Sequence, residues 1–341
     1  MAFTVDTSAG VRRVHSRERS ERVAWWTTGP GTGELRAEPL RDPGAGEVLV
    51  RTLWTGISRG TETLVLRGEV PASERDRMRA PFQEGAFPFP VKYGYLTVGV
   101  VEGGPLDGRT VFSLAPHQSR SVLPADAVTP VPAGVPARRA VLAGAVETAV
   151  NVLWDAAPRL GDRVTVVGAG MIGCSIARLA AGIPGVEVEL VDVDRAKAPM
   201  AAALGAAFAS PDDATPDRDI VIEASASPAG LALALRLAAT DSDVVVASWF
   251  GSRPVPLELG ADFHSRRLTL RSSQVGAVAS ARRERRTMRQ RLALALELLA
   301  DPAFDVLLSG PSPYTALPDV AAALAAGTDT GLCHTIDWSA A

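Results

Sequence analysis

Residues 163–182 read RVTVVGAGMIGCSIARLAAG, and this stretch decides the fold. Residues 164–167 are a β-branched run of strand length, GAGMIG follows at 168–173 without a gap, and apolar residues then recur at helical spacing. A bare GxGxxG pattern says little. One that leaves a strand and opens a helix has the context a dinucleotide-binding turn requires. Gly168 permits the tight turn, Gly170 lets a pyrophosphate approach the backbone, and Gly173 allows close helix–strand packing. Phosphate oxygens would meet free N–H groups at the helix N-terminus, at Met171 and Ile172. The next apolar run, VEVELVDVD, ends in an acidic pattern whose Asp192 lies about 20 residues beyond the last glycine, where a carboxylate accepts the adenosine ribose hydroxyls. Such a carboxylate repels a 2′-phosphate, so NAD(H) is favoured, while Arg195 and Lys197 nearby leave NADP(H) open.

Downstream, DIVIEAS, DVVVASWFG and RLTLRSS are separated by Ala- and Leu-rich helical stretches. Strands alternating with helices predict an α/β domain with a doubly wound parallel sheet, over residues 149–276. Loops that follow its strands lie at the carboxyl edge, where ligands bind, which places Ser248 and Gln274 beside the cofactor. Upstream, residues 22–148 have another texture. RVAWWTTGPGTGELRAEPL reads as two strands around a Gly/Pro turn, EVLVRTLWTGIS as a third, and VGVVEGGPLDGRTVFSL as strand, turn, strand. Short, regularly spaced strands predict a barrel-like β module. Segment 67–92 is polar, Pro-rich and long for a connection, so it is expected to cover a bound ligand in part. Residues 277–341 carry an Arg-rich helix, a Leu-rich helix and the strand CHTIDW, and read as a return to the first domain.

The 341 residues suffice for two domains. With 35 Lys and Arg against 38 Asp and Glu, the chain lacks the electrostatic footprint of a nucleic-acid or anionic-membrane binder. No apolar stretch reaches about 18 residues, so no membrane span is expected. Residues 1–21 have no apolar signal core and read as a flexible tail, which points to a cytoplasmic protein. Two cysteines, Cys174 and Cys333, exclude a disulfide framework and a four-cysteine zinc site.

TLWTGISRGTE at 52–62 and VKYGYLTVGVVEGG at 91–104, together with the glycine turn, resemble the medium-chain dehydrogenase/reductase family over nearly the whole chain after residue 22. The resemblance implies a chaperonin-10-like catalytic domain joined to a Rossmann domain, NAD(P)-dependent oxidoreduction of a small molecule, and a homodimer. Zinc-dependent members would place Cys at Ser58, His at Tyr95 and Cys near Gly144. All three ligands and the four-cysteine lobe are missing, and Cys174 and Cys333, in the Rossmann helix and the terminal strand, are expected to lie away from every ligand position. The chain thus resembles a zinc-independent branch with no metal. SRGTE, FPFPVKYGY, the His117-Gln118 pair and ETAVNVLWDA are similar to bacteriochlorophyllide dehydrogenase-like proteins, though the pigment substrate is not carried over.

Nicotinamide supplies the hydride in such an enzyme; the protein positions the substrate and handles a proton. Without a metal, a hydrogen-bond donor must polarise the carbonyl. Tyr95 stands at the family's histidine position, and its hydroxyl is either that donor or a packed, satisfied group. Ser58 either orients the substrate or caps a helix. His117, in Ala-Pro-His-Gln, is the best acid/base candidate among the histidines, against an exposed loop residue. Glu147 lies in an otherwise apolar helix and needs a partner or ligand; Arg59, Glu62 or Lys92 could pair with it. His264 and His334 read as structural. Nine arginines between 266 and 291 read as a solvated helix with inward leucines, or else as an anion site for the substrate. The leading expectation is interconversion of a secondary alcohol and a ketone in specialised metabolism, with Tyr95 and His117 as proton donors or carbonyl polarisers and Glu147 and Ser58 orienting the substrate. The alternatives are reduction of an activated C=C bond, and a nucleotide-binding regulator without catalysis.

Overall fold

The computed structural model describes residues 21–328 and 331–341, so all of the tail assigned to 1–21 except Glu21 lies outside the described residues. The described residues build three sheets. The strands Arg163–Val167, Glu187–Val191, Ala207–Ala209, Arg218–Glu223, Ala238–Val246 and Thr269–Ser272 are all parallel and lie in the order third, second, first, fourth, fifth, sixth. That is the doubly wound order, with its switch point between the first and fourth strands. Strand periodicity sends alternate side chains to opposite faces. Val164, Val166, Leu190, Ile220 and Ile222 pack with Ile176 and Ala177 of the helix Met171–Ala181. Val167, Val191, Val221 and Val244 pack on the other face with Leu231 and Ala234 of Pro228–Leu237. Both faces are covered, which is why these strands read as continuous apolar runs rather than alternating ones.

The remaining strands are mostly antiparallel. Glu47–Ser58 pairs with Thr97–Glu102 on one side, and with Cys333–Asp337 and Arg120–Pro124 on the other, in a seven-stranded sheet that runs from Leu308–Pro313 to Val128–Pro130. Leu308–Pro313 and Cys333–Asp337 therefore enter this sheet, with Cys333 opposite Ser58. A four-stranded sheet holds Thr32–Pro39, Glu21–Gly29, Val91–Lys92 and Glu84–Gly85 in that order. The two sheets are stitched where Trp25 N–H donates to the His117 carbonyl at 2.9 Å and Ser119 N–H to that of Val23 at 2.8 Å.

Segment 67–92 is tied down rather than open. Val91 pairs with Thr27, and Val70, Ala80, Phe87 and Val91 form a cluster with Val65 and Tyr93 against which Trp249 of the parallel-sheet domain packs. Helix Ala143–Ala156 joins the two bodies. Its Ala145, Val146 and Ala149 belong to one core containing Leu96 and Phe112 from one side and Val164 and Val166 from the other. A Cβ at Gly144 would stand 2.5 Å from Leu96 Cδ2, so any larger residue there would have to displace that side chain.

The solvated helix expected across the arginine run is corrected in two places. The helix begins only at Met288, where a Thr287–Gln290 capping box starts it, and residues 280–285 form exposed turns. Arg291, expected on a solvated face, has no exposure at all.

Candidate active site

The glycine turn divides its three glycines by function. Gly168 has φ +107°, and a Cβ there would stand 2.6 Å from Ser225 N and Cα. A Cβ on Gly173 would lie 1.9 Å from the Gly168 carbonyl oxygen. Both positions serve close packing of chain on chain. Gly170 differs: it is the N-cap of Met171–Ala181, no side chain caps that end, and a Cβ would meet nothing within 4 Å. The first helical bond runs from Cys174 N–H to Gly170 O, which leaves the N–H groups of Met171 and Ile172 without partners in the helix. Unsatisfied donors facing open space at a helix N-terminus suit an anion, so the residues present fit a dinucleotide pyrophosphate.

Asp192 accepts from Ala169 N–H at 2.7 Å, Asp194 N–H at 2.9 Å and Lys197 Nζ at 2.9 Å. Burial works against its charge, but these N–H groups and the Lys197 ammonium hold its carboxyl below the usual range. Lys197 thus compensates the carboxylate expected at the ribose. Arg195 turns instead to Asp213 and Ser210, each at 2.9 Å. Ser248 Oγ accepts from Ala226 N–H at 2.9 Å, which places it on the loop next to Gly168. Gln274 closes its own turn, accepting from Gly276 N–H at 2.6 Å, and remains exposed. Glu223, which the sequence reading missed, has no exposure and collects Ser225 N–H, the Ser225 hydroxyl and Ala226 N–H on one oxygen. Its signal was an acidic residue ending the apolar strand DIVIE, paired across the switch point with Val167.

The structure brings Tyr95 and Ser58 together. Burial pushes the Tyr95 phenol up to about 12, helped by the charge of Glu62 and opposed by the Ser58 and Thr61 hydroxyls beside it. The phenol therefore keeps its proton at physiological pH and is a donor. Ser58 is the N-cap of Arg59–Arg67, yet its side chain makes no cap bond. Glu62 Oε1 instead accepts Ser58 N–H at 2.7 Å, so the Ser58 hydroxyl is not used in the cap.

His117 is buried at 2 % exposure, which corrects the exposed-loop reading. Its Nε2 lies 2.8 Å from Glu62 Oε2 and its Nδ1 2.7 Å from Thr55 Oγ1. Glu62 as a carboxylate only accepts, so Nε2–H donates to it and, in the neutral ring, Nδ1 accepts the Thr55 hydroxyl, whose oxygen also accepts from Trp338 Nε1 at 3.0 Å. A cavity of about 20 Å³ borders the pair, among Thr27, Leu66, Tyr93 and Leu317, with room for one water. Glu62→Ala would strip acceptors from two buried donors, Ser58 N–H and His117 Nε2–H. The expected cost is about 3 kcal/mol, read as a lower urea midpoint and only partly restored in Glu62→Gln, whose amide keeps one of the two acceptors.

Glu147 pairs with Arg291, whose Nε is 3.1 Å from Oε1, and not with Arg59, Glu62 or Lys92. Glu62 serves His117, and Lys92 binds Glu38 at 2.9 Å and Glu84 at 2.7 Å. Burial raises the Glu147 carboxyl above its usual value and the Arg291 charge opposes the rise. His334 Nε2 lies 2.9 Å from Ser312 Oγ, and His264 is exposed.

One expectation about the cysteines is overturned. Cys333 does not lie apart from the position of Ser58; it is paired directly across from it and its sulfur abuts Gly56. Burial pushes its thiol up to about 12, so it is a neutral core group. The positions where the resemblance puts zinc ligands hold two hydroxyls and a glycine, which is not a donor set zinc selects. Among the described residues no group of three or more His, Cys, Asp or Glu could hold a metal ion.

No family model matches the sequence, and no curated protein matches it. The structure is similar to that of a thermostable alcohol dehydrogenase from Pyrobaculum aerophilum, with 20% identity, TM-score 0.75, and 93% of this chain and 99% of that one covered. Acetophenone reductase from Geotrichum candidum, solved in complex with NAD, gives 17% identity, TM-score 0.72, and coverage of 93% and 97%. A dehydrogenase of Sinorhizobium meliloti 1021, designated zinc-binding and bound to NADP, gives 18% identity, TM-score 0.75, and coverage of 93% and 99%. The chain thus has the fold of the medium-chain alcohol dehydrogenases, a parallel Rossmann sheet joined to a GroES-like antiparallel domain.

Proposed function

We propose that the chain is an NAD(P)(H)-dependent oxidoreductase that interconverts a secondary alcohol and a ketone without zinc. The observation that carries this reading is the donor set itself: Ser58, Tyr95 and Gly144 stand where the resemblance puts zinc ligands, two hydroxyls and a glycine, and burial keeps the Tyr95 phenol protonated. A bound nicotinamide dinucleotide supplies or accepts the hydride. The N–H groups of Met171 and Ile172 hold its pyrophosphate over Gly170, and Asp192 takes the adenosine ribose. Asp192 favours NAD(H); Lys197 at 2.9 Å reduces the penalty on a 2′-phosphate, so NADP(H) is used less well. Tyr95 donates a hydrogen bond to the carbonyl oxygen and its proton to the alkoxide that develops there. Ser58 orients the same oxygen, and Glu62 with His117 fixes the helix start on which Ser58 sits.

SRGTE, FPFPVKYGY and ETAVNVLWDA support a relation to bacteriochlorophyllide dehydrogenase-like proteins and a role in specialised metabolism. A cytoplasmic homodimer belongs to the same reading. The outer strand Thr269–Ser272 has one free edge, and its Leu270 is 36% exposed. Among the described residues no helix is long and apolar enough to cross a membrane.

NADH fluorescence titration followed by turnover on a panel of ketones and enones tests the proposal. NADH is expected to bind, and a ketone to be reduced at a rate that a chelator does not change. Absence of NADH binding, or turnover that appears only after zinc is loaded, overturns it.

A further inference from the structure

Arg291 is a fully buried cation that the chemistry above does not use. Its guanidinium donates to Glu147 Oε1 at 3.1 Å, to Asn151 Oδ1 at 2.5 Å, to the Ala277 carbonyl at 3.0 Å and to the Val275 carbonyl. Two of these acceptors belong to helix Ala143–Ala156 and two to the loop after the sixth strand of the parallel sheet. The same helix holds the rest of that loop. Asn151 Oδ1 accepts Ala279 N–H at 2.9 Å, its amide reaches Ser273 Oγ at 3.3 Å, and Asp155 accepts the Ser273 hydroxyl at 2.6 Å. Glu147, Asn151 and Asp155 are spaced four apart, so one helix face carries all three groups.

Loop 273–279 is thus fastened at its root, middle and end, while its tip at Gln274, Gly276 and Ala277 stays exposed. Burying an ion pair is costly, and apolar packing could hold a loop more cheaply. What packing cannot do is aim two main-chain carbonyls, and a guanidinium in a fixed fork does. The loop leaves the carboxyl edge of the sheet on the side of strands four to six. Asp192 puts the adenosine half over strands one to three, so the other half of the dinucleotide falls on this side.

We propose that Glu147, Asn151 and Arg291 are positioning residues that hold the 274–277 tip against the nicotinamide half of the cofactor, from a helix shared by both domains. The inference rests on the dinucleotide-binding reading and assigns Glu147 to the cofactor rather than to the substrate. It also explains why Arg291 is buried where the arginines from 282 to 289 are all exposed.

NADH and ADP-ribose separate the two halves, because ADP-ribose has the adenosine and both phosphates but no nicotinamide. Binding of each is measured on wild type, Arg291→Lys and Glu147→Gln, with circular dichroism and thermal midpoints as fold controls. NADH affinity is expected to fall about 10-fold or more in both variants, with ADP-ribose changed less than about 2-fold. Equal losses for both ligands mean a purely structural network and overturn the inference, as does unchanged NADH binding. If Arg291→Lys fails to fold, Glu147→Gln, which keeps an acceptor for Arg291 Nε, decides alone by the same ratio. A wild type that binds neither ligand overturns the oxidoreductase reading itself, a result distinct from the others.

Discussion

Replacing Gly173 with alanine is expected to weaken NADH binding by about 100-fold or more and to lower the thermal midpoint as well. The new methyl would lie 1.9 Å from the Gly168 carbonyl oxygen, closer than any relaxation of one side chain can relieve. The backbone must move, and it carries the turn away from the helix N-terminus. Overpacking of this kind costs about 3 kcal/mol, which is about a hundredfold in affinity. Gly170→Ala is the discriminating control. Its methyl meets no atom of the rest of the protein, beyond its chain neighbours, within 4 Å, so the fold should be unaffected. It does occupy the space over the free N–H groups of Met171 and Ile172, so NADH binding should fall while the thermal midpoint stays put. Fluorescence titration and a thermal scan on the two variants read both quantities. A Gly170→Ala protein that binds NADH as wild type does would show that the phosphates lie elsewhere.

Tyr95→Phe is expected to lower kcat by roughly 10²- to 10³-fold, with the KM for NADH within about 2-fold of wild type. The variant removes one hydroxyl from a partly buried ring and leaves the cofactor cradle intact. Because burial holds the phenol up to about 12, the group is a proton donor at every pH in ordinary use. The sign of the pH effect follows. The reduction rate should show no fall from Tyr95 ionisation until the pH nears that value, and the phenylalanine variant should lack even that limb. Ser58→Ala should cost less, since the serine orients an oxygen that the phenol still polarises. Unchanged kcat in both variants would move the proton donor to another residue.

The glycine turn, the alternation of strand and helix, and the strands of the first domain could be read from sequence because each is a local pattern. GAGMIG between a β-branched run and a helix needs no distant residue to be recognised. The errors fall where a partner is far away in the chain. His117 could not be assigned to the interior because its partners Thr55 and Glu62 lie 62 and 55 residues away. Arg291 sits in a run whose neighbours are all solvated, and only its contacts 144 and 140 residues upstream, at Glu147 and Asn151, give it a buried place. Cys333 lies beside Ser58 through an antiparallel register that no spacing rule supplies. The pattern of Ser58, Tyr95 and the glycine at 144 was visible only through family resemblance, since a missing ligand leaves no periodicity behind.

Thr55 accepts a hydrogen bond from Trp338, 283 residues further along the chain. During synthesis the strand Glu47–Ser58 therefore leaves the ribosome long before its neighbour Cys333–Asp337, and the whole parallel-sheet domain is made in between. Until then the Trp54–Ser58 end of that edge has no partner, while its Glu47–Arg51 end is already paired with Arg120–Pro124, and Thr55 lacks the hydrogen bond from Trp338. Long-range pairing of this kind delays closure and leaves a nascent edge open to other chains. The Rossmann half can fold as it emerges, whereas the half that holds Tyr95 and Ser58 is completed last, from the far end of the polypeptide.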